Sequence, residues 1–538
     1  MSAGAQLALP ASQGWDGRRY AFWGLVLLGG LLRFAMLGQV PAGLNSDEAS
    51  TGVEALSILR TGMDRWGNHF PIWFPAWGSG MNALYSYIAI PVIARFGLSV
   101  LVLRAIGAVF GLLTLPVAYQ TARLYFGRDT ALLTLAFLAL LPWHVMSSRW
   151  ALDSNLAPLF FTLGLWTIGK ALRDGGNWPL AAFIPWSVAT YAYPAVLPPE
   201  AIAGLAILIL FRRQIQPSAG RWSVGLAIAF LIELPFLLFL AKNQLHFDHL
   251  PFESTLPFAL PALPASRLGQ LHQGMAATIV GNLTFILSGF RDGALWHHSR
   301  WFAPLTDVAP YLILIATLEL GARCWREGRP NVILIVTLTA IVPLLLLPLN
   351  VTRFNWFYIP AMMAVANLFV RLESGALPLP AKFRRPLLWV AGVYFAVFTV
   401  LFVPYYFTRY NGELPSLDRN LGNGFRIGLE VALRAELALA RPDEPMLVEV
   451  GTVHPYLYPL FYGLADIETF QATRQVRFED GVYRVSRFGR FYFEREALPP
   501  GRSFVFVSRT TLPPCAAPEI ASAGPLWAVG RCSSSVRQ

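Results

Sequence analysis

The sequence YAFWGLVLLGGLLRFAMLG, residues 20–38, decides the class of protein to which the chain belongs. Its only charged residue is Arg33. An α-helix needs about 20 largely apolar residues to cross about 30 Å of hydrocarbon. Arg18 and Arg19 precede the run, and the sequence lacks a signal-peptide cleavage pattern. The segment is therefore predicted to be a retained membrane span whose N-terminal end faces the cytoplasm.

The composition of the whole chain indicates the same class. Hydrophobic residues make up 55% of the 538 residues and charged residues only 14%, whereas soluble domains carry about 25% charged residues. The mean hydropathy is +0.49. This composition excludes three classes of protein: an ordinary cytosolic enzyme, a disordered protein and a secreted disulfide scaffold. The sequence predicts an α-helical polytopic membrane protein.

Further apolar runs bring the prediction to about eleven transmembrane helices. Besides residues 20–38, the predicted spans are 100–122, 130–147, 154–172, 178–191, 195–213, 222–241, 308–326, 331–348, 354–371 and 386–406. One more apolar run, 81–96, contains Pro91 and would reach only about 24 Å as a helix, which is short of the hydrocarbon thickness. We expect it to be an interfacial or re-entrant helix.

The positions of the basic residues predict the orientation. The net charge is +11, from 42 Lys and Arg against 31 Asp and Glu, and most basic residues lie in short loops between apolar runs. With residues 1–19 in the cytoplasm and eleven crossings, these loops all face the cytoplasm, as the positive-inside rule requires. The loops 38–99 and 242–307 and the C-terminal tail then lie outside. We therefore expect the functional site outside, and no nucleic-acid partner.

The tail, residues 407–538, differs in composition from the predicted transmembrane domain, residues 20–406. Strand-like runs such as 446–450 alternate with a helical stretch near 425–440, and charged residues return. This pattern predicts a small extracytoplasmic α/β domain. Cys515 and Cys532 lie within it, and an oxidising compartment favours a disulfide between them, with two unpaired thiols as the alternative.

Two adjacent carboxylates, Asp47 and Glu48, follow the first predicted span. Ser46 is expected to cap a helix that begins at Asp47 and runs to about Thr61, and acidic residues in a first helical turn are favourable. One interpretation of the pair is therefore helix capping. The other is a general base at the membrane surface.

A second outside turn contains Arg149 and Asp153, which are four residues apart and surrounded by few other charges. On a helix this spacing lets the two side chains pair with each other. They can instead join Asp47 and Glu48 in one polar cluster, because the predicted topology places both pairs on the same side of the membrane.

The loop 242–307 contains adjacent histidines, His297 and His298. Adjacent residues do not share a helix face, so a metal ligand here would need partners elsewhere, among them Asp47, His246 and His249. A loop hydrogen bond or a phosphate contact is the more common role. We expect no cofactor, with a divalent cation as the open alternative.

Four more residues are candidates for a role at the membrane boundary or within it. Arg353 can snorkel to the interface or bind a lipid phosphate, and Tyr193 can belong to an aromatic belt or stack on a sugar. Arg33 and Glu233 lie inside predicted spans, where charged residues are often functional. These last two are left outside the predicted site.

Taken together, these motifs resemble the GT-C superfamily of lipid-carrier glycosyltransferases. The chain is most similar to bacterial members of glycosyltransferase family 39, such as protein O-mannosyltransferases and the aminoarabinose transferase of lipid A. The resemblance rests on NSDEASTGVEALSILRTGMDRWGNHFPIWFPAWG (45–78), PWHVMSSRWALDSN (142–155), YAYP (191–194) and His298-Ser299, and it covers roughly residues 15–370.

The resemblance implies an enzyme of the bacterial inner membrane that moves a sugar, with inversion, from a polyprenyl-phosphate donor to an envelope acceptor on the periplasmic face. Asp47 would be the catalytic base, and Glu48 would support it or hold the acceptor. Arg149 and Asp153 would organise the site and the donor phosphate.

The chain departs from the family pattern at residues 79–85, SGMNALY, where many relatives carry a Lys or a Pro-Pro before the Leu-Tyr. His298 and Arg353 are the expected substitutes for that Lys as phosphate contacts, and Tyr193 is a further substrate-binding candidate. A transporter or flippase, and a non-catalytic GT-C relative that only binds lipids, are the alternative functions.

Overall fold

The structure is a computed structural model. It describes residues 17–78, 80–244, 250, 252–263, 274–414, 424–452, 454–479, 482–510, 514–515 and 518–533. His246 and His249, two of the residues considered as metal ligands, lie outside the described residues.

Helices dominate the first three quarters of the chain. In chain order they are α1 (Gly17–Phe34), α2 (Ser46–Thr61), α3 (Leu84–Phe96), α4 (Val100–Phe126), α5 (Arg128–Leu140), α6 (Pro142–Ser147), α7 (Ala157–Asp174), α8 (Trp178–Ala181), α9 (Ile184–Ala192), α10 (Leu197–Leu210), α11 (Arg212–Ile215), α12 (Ala219–Gln244), α13 (Met275–Leu287), α14 (Ala309–Glu327), α15 (Val332–Thr339), α16 (Ile341–Leu346), α17 (Asn355–Ser374) and α18 (Ala381–Thr408).

Among the described residues, three helical stretches are long and apolar enough to cross a membrane: Val100–Phe126, Arg212–Gln244 and Ala381–Thr408. The predicted number of about eleven spans is therefore not confirmed. Several of the other predicted spans consist of two shorter helices, and the second of these has a proline in its first turn. Proline has no backbone N–H, so the hydrogen bonds of the first helix do not continue into the second. Pro142 at the start of α6 separates it from α5, and Pro185 lies at the start of α9.

One apolar helix was missed from the sequence. Helix α13 lies within the predicted outside loop 242–307, and its 13 residues are too few for the length criterion of a span. The Asn282 side chain donates to the carbonyl oxygens of Leu344 and Leu347, at 2.7 and 2.8 Å, and accepts from the Leu349 N–H at 2.7 Å. This amide therefore joins α13 to the C-terminal end of α16.

The first outside loop folds into α2 followed by two short antiparallel strands, β1 (Trp73–Phe74) and β2 (Met81–Asn82). Helix α2 begins one residue earlier than predicted, because Asn45 rather than Ser46 is its N-cap. The Asn45 side chain accepts from the Asp47 N–H at 2.8 Å, and the Glu48 carboxylate accepts from the Asn45 N–H at 3.1 Å. The two residues form a capping box.

The C-terminal part combines helices α19 (Leu429–Leu439), α20 (Leu457–Phe461) and α21 (Ile467–Thr473) with one sheet. Its strands are β3 (Met446–Glu449), β4 (Gln475–Glu479), β5 (Val482–Phe488), β6 (Phe491–Tyr492), β7 (Phe504–Arg509), β8 (Glu519–Ala523) and β9 (Trp527–Cys532). The order is β4-β5-β6-β3-β7-β9-β8, with β3 parallel to both β6 and β7. The predicted α/β character and the Cys515–Cys532 disulfide are both confirmed.

The C-terminal part packs directly on helix α2. A Cβ atom at Gly52 would lie 2.6 Å from the Phe461 ring, so the helix approaches α20 more closely than a larger residue allows. The Gln471 amide donates to the carbonyl oxygen of Asp64 at 3.0 Å. Helix α2 is therefore held from one side by the C-terminal part, and the salt bridge between Glu48 and Arg104 connects it to α4.

Candidate active site

A polar cavity of about 330 Å³ lies beside the first turn of α2. The first outside loop contributes Asp47, Thr51, Trp77 and Met81, and the turn after α6 contributes Leu152, Asp153 and Ser154. The remaining lining residues come from later segments of the chain that were predicted to lie outside: Tyr193, Trp296, His297, Asn350, Thr352 and Arg353. Four of the seven residues predicted for the site are therefore brought together: Asp47, Asp153, Tyr193 and Arg353.

Asp47 is half-buried in the first turn of α2, where the positive end of the helix dipole favours a carboxylate. Thr51 lies one turn further along, on the same face of the helix, and its hydroxyl donates to the carbonyl oxygen of Asp47 at 2.9 Å. Both residues line the cavity. The spacing of four residues therefore turns one face of α2 towards the cavity.

Asp153 is buried at the cavity wall, with 8% of its surface exposed. Its carboxylate accepts from the Asn82 N–H at 3.2 Å, from the Asn82 side-chain amide and from the Ser154 N–H at 2.7 Å. Asp153 thus joins the turn after α6 to strand β2. It does not need Arg149 as a partner, and the alternative of an isolated Arg149–Asp153 pair is wrong.

The cavity also contains two groups that can carry positive charge. The Arg353 guanidinium donates to the carbonyl oxygen of Pro348 at 2.7 Å, and the Arg353 N–H donates to the Asn350 side chain at 2.7 Å. His297 places its Nδ1 atom 2.6 Å from a carboxylate oxygen of Asp292. Both residues line the space that Asp47 and Asp153 share.

Asp292 is suited to orient the His297 ring. Burial alone would raise the pKa of Asp292, but hydrogen bonds from His297 and from the N–H groups of Val351 and Ala294 outweigh it and hold the pKa below its usual range. The two N–H bonds are each 3.0 Å long. An ionised Asp292 therefore accepts a hydrogen bond from Nδ1 of His297 and fixes the ring orientation.

Three predicted site residues do not line the cavity, and the first is Glu48. Its carboxylate is fully buried and receives two hydrogen bonds of 2.7 Å from the Arg104 guanidinium and one of 2.9 Å from the Ala151 N–H. With the Asn45 N–H added, both carboxylate oxygens are occupied. Glu48 therefore connects α2 to α4 and to the turn after α6. It does not line the cavity beside Asp47, because consecutive residues of a helix point in different directions.

Arg149 is the second of these residues. Its guanidinium donates to four carbonyl oxygens at and beyond the C-terminal end of α1, those of Leu32, Arg33, Ala35 and Val40, at 2.7 to 3.0 Å. The last carbonyl groups of a helix have no partner within it and carry partial negative charge. Arg149 therefore caps α1 and does not reach the cavity.

His298, the third, is buried behind the cavity, and burial lowers its pKa. Its Nδ1 atom lies 2.8 Å from the carbonyl oxygen of Ser299. His297, its neighbour, takes the place on the cavity that the sequence analysis had given to His298. In the part of the chain that the structure describes, no group of three or more His, Cys, Asp or Glu side chains is arranged to hold a metal ion.

Sequence reasoning also missed Arg104 and Asp292. Arg104 is fully buried and lies in the predicted span 100–122. A charged residue in such an apolar segment is often functional, and this signal could have identified Arg104. Arg33 is also a fully buried charge in a predicted span. Its guanidinium donates to the carbonyl oxygens of Gly29 and Leu138 and contacts His144 Nδ1 at 2.6 Å. We call Glu48, Arg104, Arg149, Arg33 and His144 the buried junction.

Known structures share this architecture, although sequence comparisons find nothing. No protein-family model matches the chain, and no curated protein matches it. The crystal structure of ArnT from Cupriavidus metallidurans bound to undecaprenyl phosphate matches with a TM-score of 0.56 and 15% identity, over 96% of this chain and 98% of that chain. The apo structure of the same protein gives 0.52 and 13%, with the same coverage.

The oligosaccharyltransferase of Archaeoglobus fulgidus, tethered with an acceptor peptide, matches with a TM-score of 0.51 and 13% identity, over 84% of this chain and 63% of that chain. These neighbours are GT-C superfamily glycosyltransferases. The chain is a membrane protein with the GT-C fold, and the resemblance stated from its motifs is confirmed at the level of the fold.

Proposed function

We propose that the chain is a glycosyltransferase of the bacterial inner membrane that uses a polyprenyl-phosphate sugar as donor. It transfers the sugar, with inversion, to an envelope acceptor (a lipid, glycan or protein) on the periplasmic face. The observation that carries this proposal is the shared cavity of Asp47, Asp153, Arg353 and His297, which combines a base with cationic groups inside a GT-C fold.

Asp47 is the proposed general base. It takes the proton of the acceptor hydroxyl as that oxygen forms a bond to the anomeric carbon of the sugar. The bond from the anomeric carbon to the phosphate oxygen breaks on the opposite face, and the polyprenyl phosphate leaves with the electron pair. A single displacement of this kind inverts the anomeric configuration. Asp153, held by Asn82, is proposed to position the substrate across the cavity from Asp47.

The departing phosphate requires cationic stabilisation, which Arg353 is placed to provide, and the imidazole of His297 borders the same space. A guanidinium matches the geometry of phosphate oxygens, and fixed charges are most effective where water is largely excluded. This assignment retains Arg353 from the sequence analysis and replaces His298 with His297. The isoprenoid tail of the carrier accounts for a membrane-embedded enzyme, and Tyr193 can stack on the sugar.

Membrane fractions that contain the wild-type or the Asp47→Asn protein test the proposal. The donors are a panel of radiolabelled polyprenyl-phosphate sugars, and the acceptor is native envelope material. We expect the substitution to lower transfer by roughly 10²–10⁴-fold, the usual contribution of a general base. Asp129→Asn is the matched control, because Asp129 is exposed at the start of α5 and pairs with Arg18.

Each result has a defined meaning. Label that moves from carrier to acceptor in wild type and in Asp129→Asn, but not in Asp47→Asn, supports the enzyme and its base. Equal transfer by Asp47→Asn removes Asp47 from the mechanism. Folded wild-type protein that transfers label from no donor in the panel favours the transporter or the non-catalytic lipid-binding alternative.

A further inference from the structure

Two carboxyl groups of the membrane domain are not used by the proposed reaction. Glu233 of α12 and Glu200 of α10 line a second cavity of about 360 Å³, which lies between α9, α10 and α12. The two residues are 7% and 5% exposed. Glu233 was noted in the sequence as a charge inside a span, and Glu200 is its unpredicted neighbour. The two carboxyls interact electrostatically, so they lie close together.

The carboxyls retain unused hydrogen-bonding capacity. One oxygen of each, Oε1, accepts no hydrogen bond from the described residues. In the described part of the chain, no arginine or lysine interacts with either group. Thr190, which is fully buried on α9, lies beside both. The buried junction behaves differently, since there each charged group has a charged partner or several backbone partners.

The other walls of this second cavity are apolar and open towards lipid. They include Leu205 and Phe230, which are 61% and 55% exposed on the outer surface of the helices. Acyl chains therefore have access to the cavity from the bilayer. A hydrated metal ion is disfavoured by these walls, because it would have to shed its water against apolar side chains.

The two carboxyls lie close to segments that the sequence places outside the membrane. Glu233 lies three residues, about 4.5 Å along the helix axis, before Phe236, whose ring packs on Trp73 of the first predicted outside loop with centroids 5.7 Å apart. Glu200 lies one turn into α10. The short turn before α10 begins directly after Tyr193, a lining residue of the polar cavity. Glu200 therefore lies near the start of α10, and Glu233 lies near the point where α12 contacts the first predicted outside loop.

We propose that Glu200 and Glu233 form a binding site for the primary ammonium group of a phospholipid such as phosphatidylethanolamine. The ammonium carries three N–H donors, enough for the unpartnered oxygen of each carboxyl. The acyl chains lie along the apolar walls of the second cavity. A quaternary ammonium has no N–H donor and fits the site poorly.

The test compares two lipids that differ in these N–H groups. Full-length protein is equilibrated with equal amounts of phosphatidylethanolamine and phosphatidylcholine of identical acyl chains, and native mass spectrometry counts the retained lipids. We expect roughly tenfold preference for phosphatidylethanolamine in wild type, the ratio that one charge-assisted hydrogen bond supports. The double variant Glu200→Gln/Glu233→Gln should lose this preference. Glu327→Gln, which neutralises an exposed carboxylate at the end of α14, should keep it.

Thermal melting in pure phosphatidylcholine shows whether each variant is folded, so that loss of preference is not confused with loss of structure. If the double variant is misfolded, the two single Gln variants replace it. Equal retention of both lipids by wild type would overturn the proposal, as would a preference that survives in a folded double variant. Retention of free phosphoethanolamine by wild type, but not of the intact lipid, would assign the site to a soluble amine instead.

Discussion

The polar cavity and the buried junction border different faces of the first turn of α2, and they use similar residue types differently. Asp47 faces the cavity, whereas Glu48, the next residue, faces the junction. In the junction, arginines bind a carboxylate and a series of backbone carbonyls, and their side chains are fully buried. In the cavity, two carboxylates, a histidine and an arginine border open space.

This difference separates residues that hold the site together from residues that we propose act in it. The junction connects the start of α2 to α4 and to the turn after α6, and it connects that turn to α1. Asp47 and Asp153 border the same cavity. Adjacent acidic residues thus have different roles because a helix turns successive side chains by about 100°.

Glu48→Ala should disrupt the fold, because it leaves the Arg104 charge buried without its carboxylate partner. Breaking a buried ion pair in this way costs about 3–5 kcal/mol. We expect a marked loss of folded protein in detergent extracts and a lower thermal midpoint. Glu430→Ala is the control, since Glu430 forms an exposed pair with Arg434, and such pairs contribute about 0–1 kcal/mol. Equal behaviour of the two variants would contradict a structural role for the junction.

Arg353→Gln should lower activity without unfolding the protein, because Arg353 is at the cavity and not in the junction. Removing one group that stabilises charge in a transition state typically costs about 10²–10³-fold in kcat. Steady-state transfer with the labelled donor measures this effect, and the thermal midpoint checks the fold. Arg434→Gln supplies a control on the exposed face of α19. Unchanged kcat in Arg353→Gln would remove Arg353 from stabilisation of the phosphate.

A smaller effect concerns Glu54, a fully buried residue of α2 that forms an ion pair with Arg65. Burial raises the pKa of Glu54 to about 7, against the opposing influence of Arg65. In the unfolded chain the group has its ordinary pKa of 4.5. The folded state therefore binds more protons between about pH 4.5 and pH 7, and this contribution to stability is lost as the pH rises through that window.

The melting temperature should consequently fall more between pH 5 and pH 8 in wild type than in Glu54→Gln. We expect a difference of about 2 °C, because the shift of the pKa from 4.5 to about 7 contributes about 2–3 kcal/mol over this pH range, and unfolding a chain of 538 residues has an entropy of about 1 kcal/mol/K. Glu430→Gln should retain the wild-type pH dependence. Identical pH dependence in wild type and Glu54→Gln would show that Glu54 keeps an ordinary pKa.

Much of this arrangement can be predicted from the sequence, and the rest depends on packing. Composition and apolar runs predict a membrane protein, and the motifs around Asp47 and Asp153 predict two residues that share the cavity. The family resemblance assigns the base to Asp47, but the residues alone do not show which of Asp47 and Glu48 faces the cavity, because this depends on the rotation of α2 against α4. The choice between His297 and His298 depends in the same way on Asp292, whose partners come from a distant turn.

The number of membrane-crossing helices is a different case. A hydropathy profile shows how long an apolar run is, but it does not show whether the run forms one helix or two. Prolines divide several of the apolar runs into short helices. The prediction of about eleven spans therefore treated the run 331–348 as one helix, although it forms α15 and α16. Helix α13 was missed for the related reason that a short apolar helix does not meet a length criterion.

The most direct test of the account compares activity per folded molecule in Asp47→Asn and Glu48→Gln. Both substitutions replace a carboxylate by its amide at adjacent positions of α2. Folded protein is quantified by size-exclusion chromatography, and sugar transfer is measured on that fraction. We predict that Asp47→Asn is folded but transfers roughly 10²–10⁴-fold less sugar, and that Glu48→Gln yields less folded protein whose remaining molecules stay active. The reverse pattern, with folded and inactive Glu48→Gln beside active Asp47→Asn, would contradict the account.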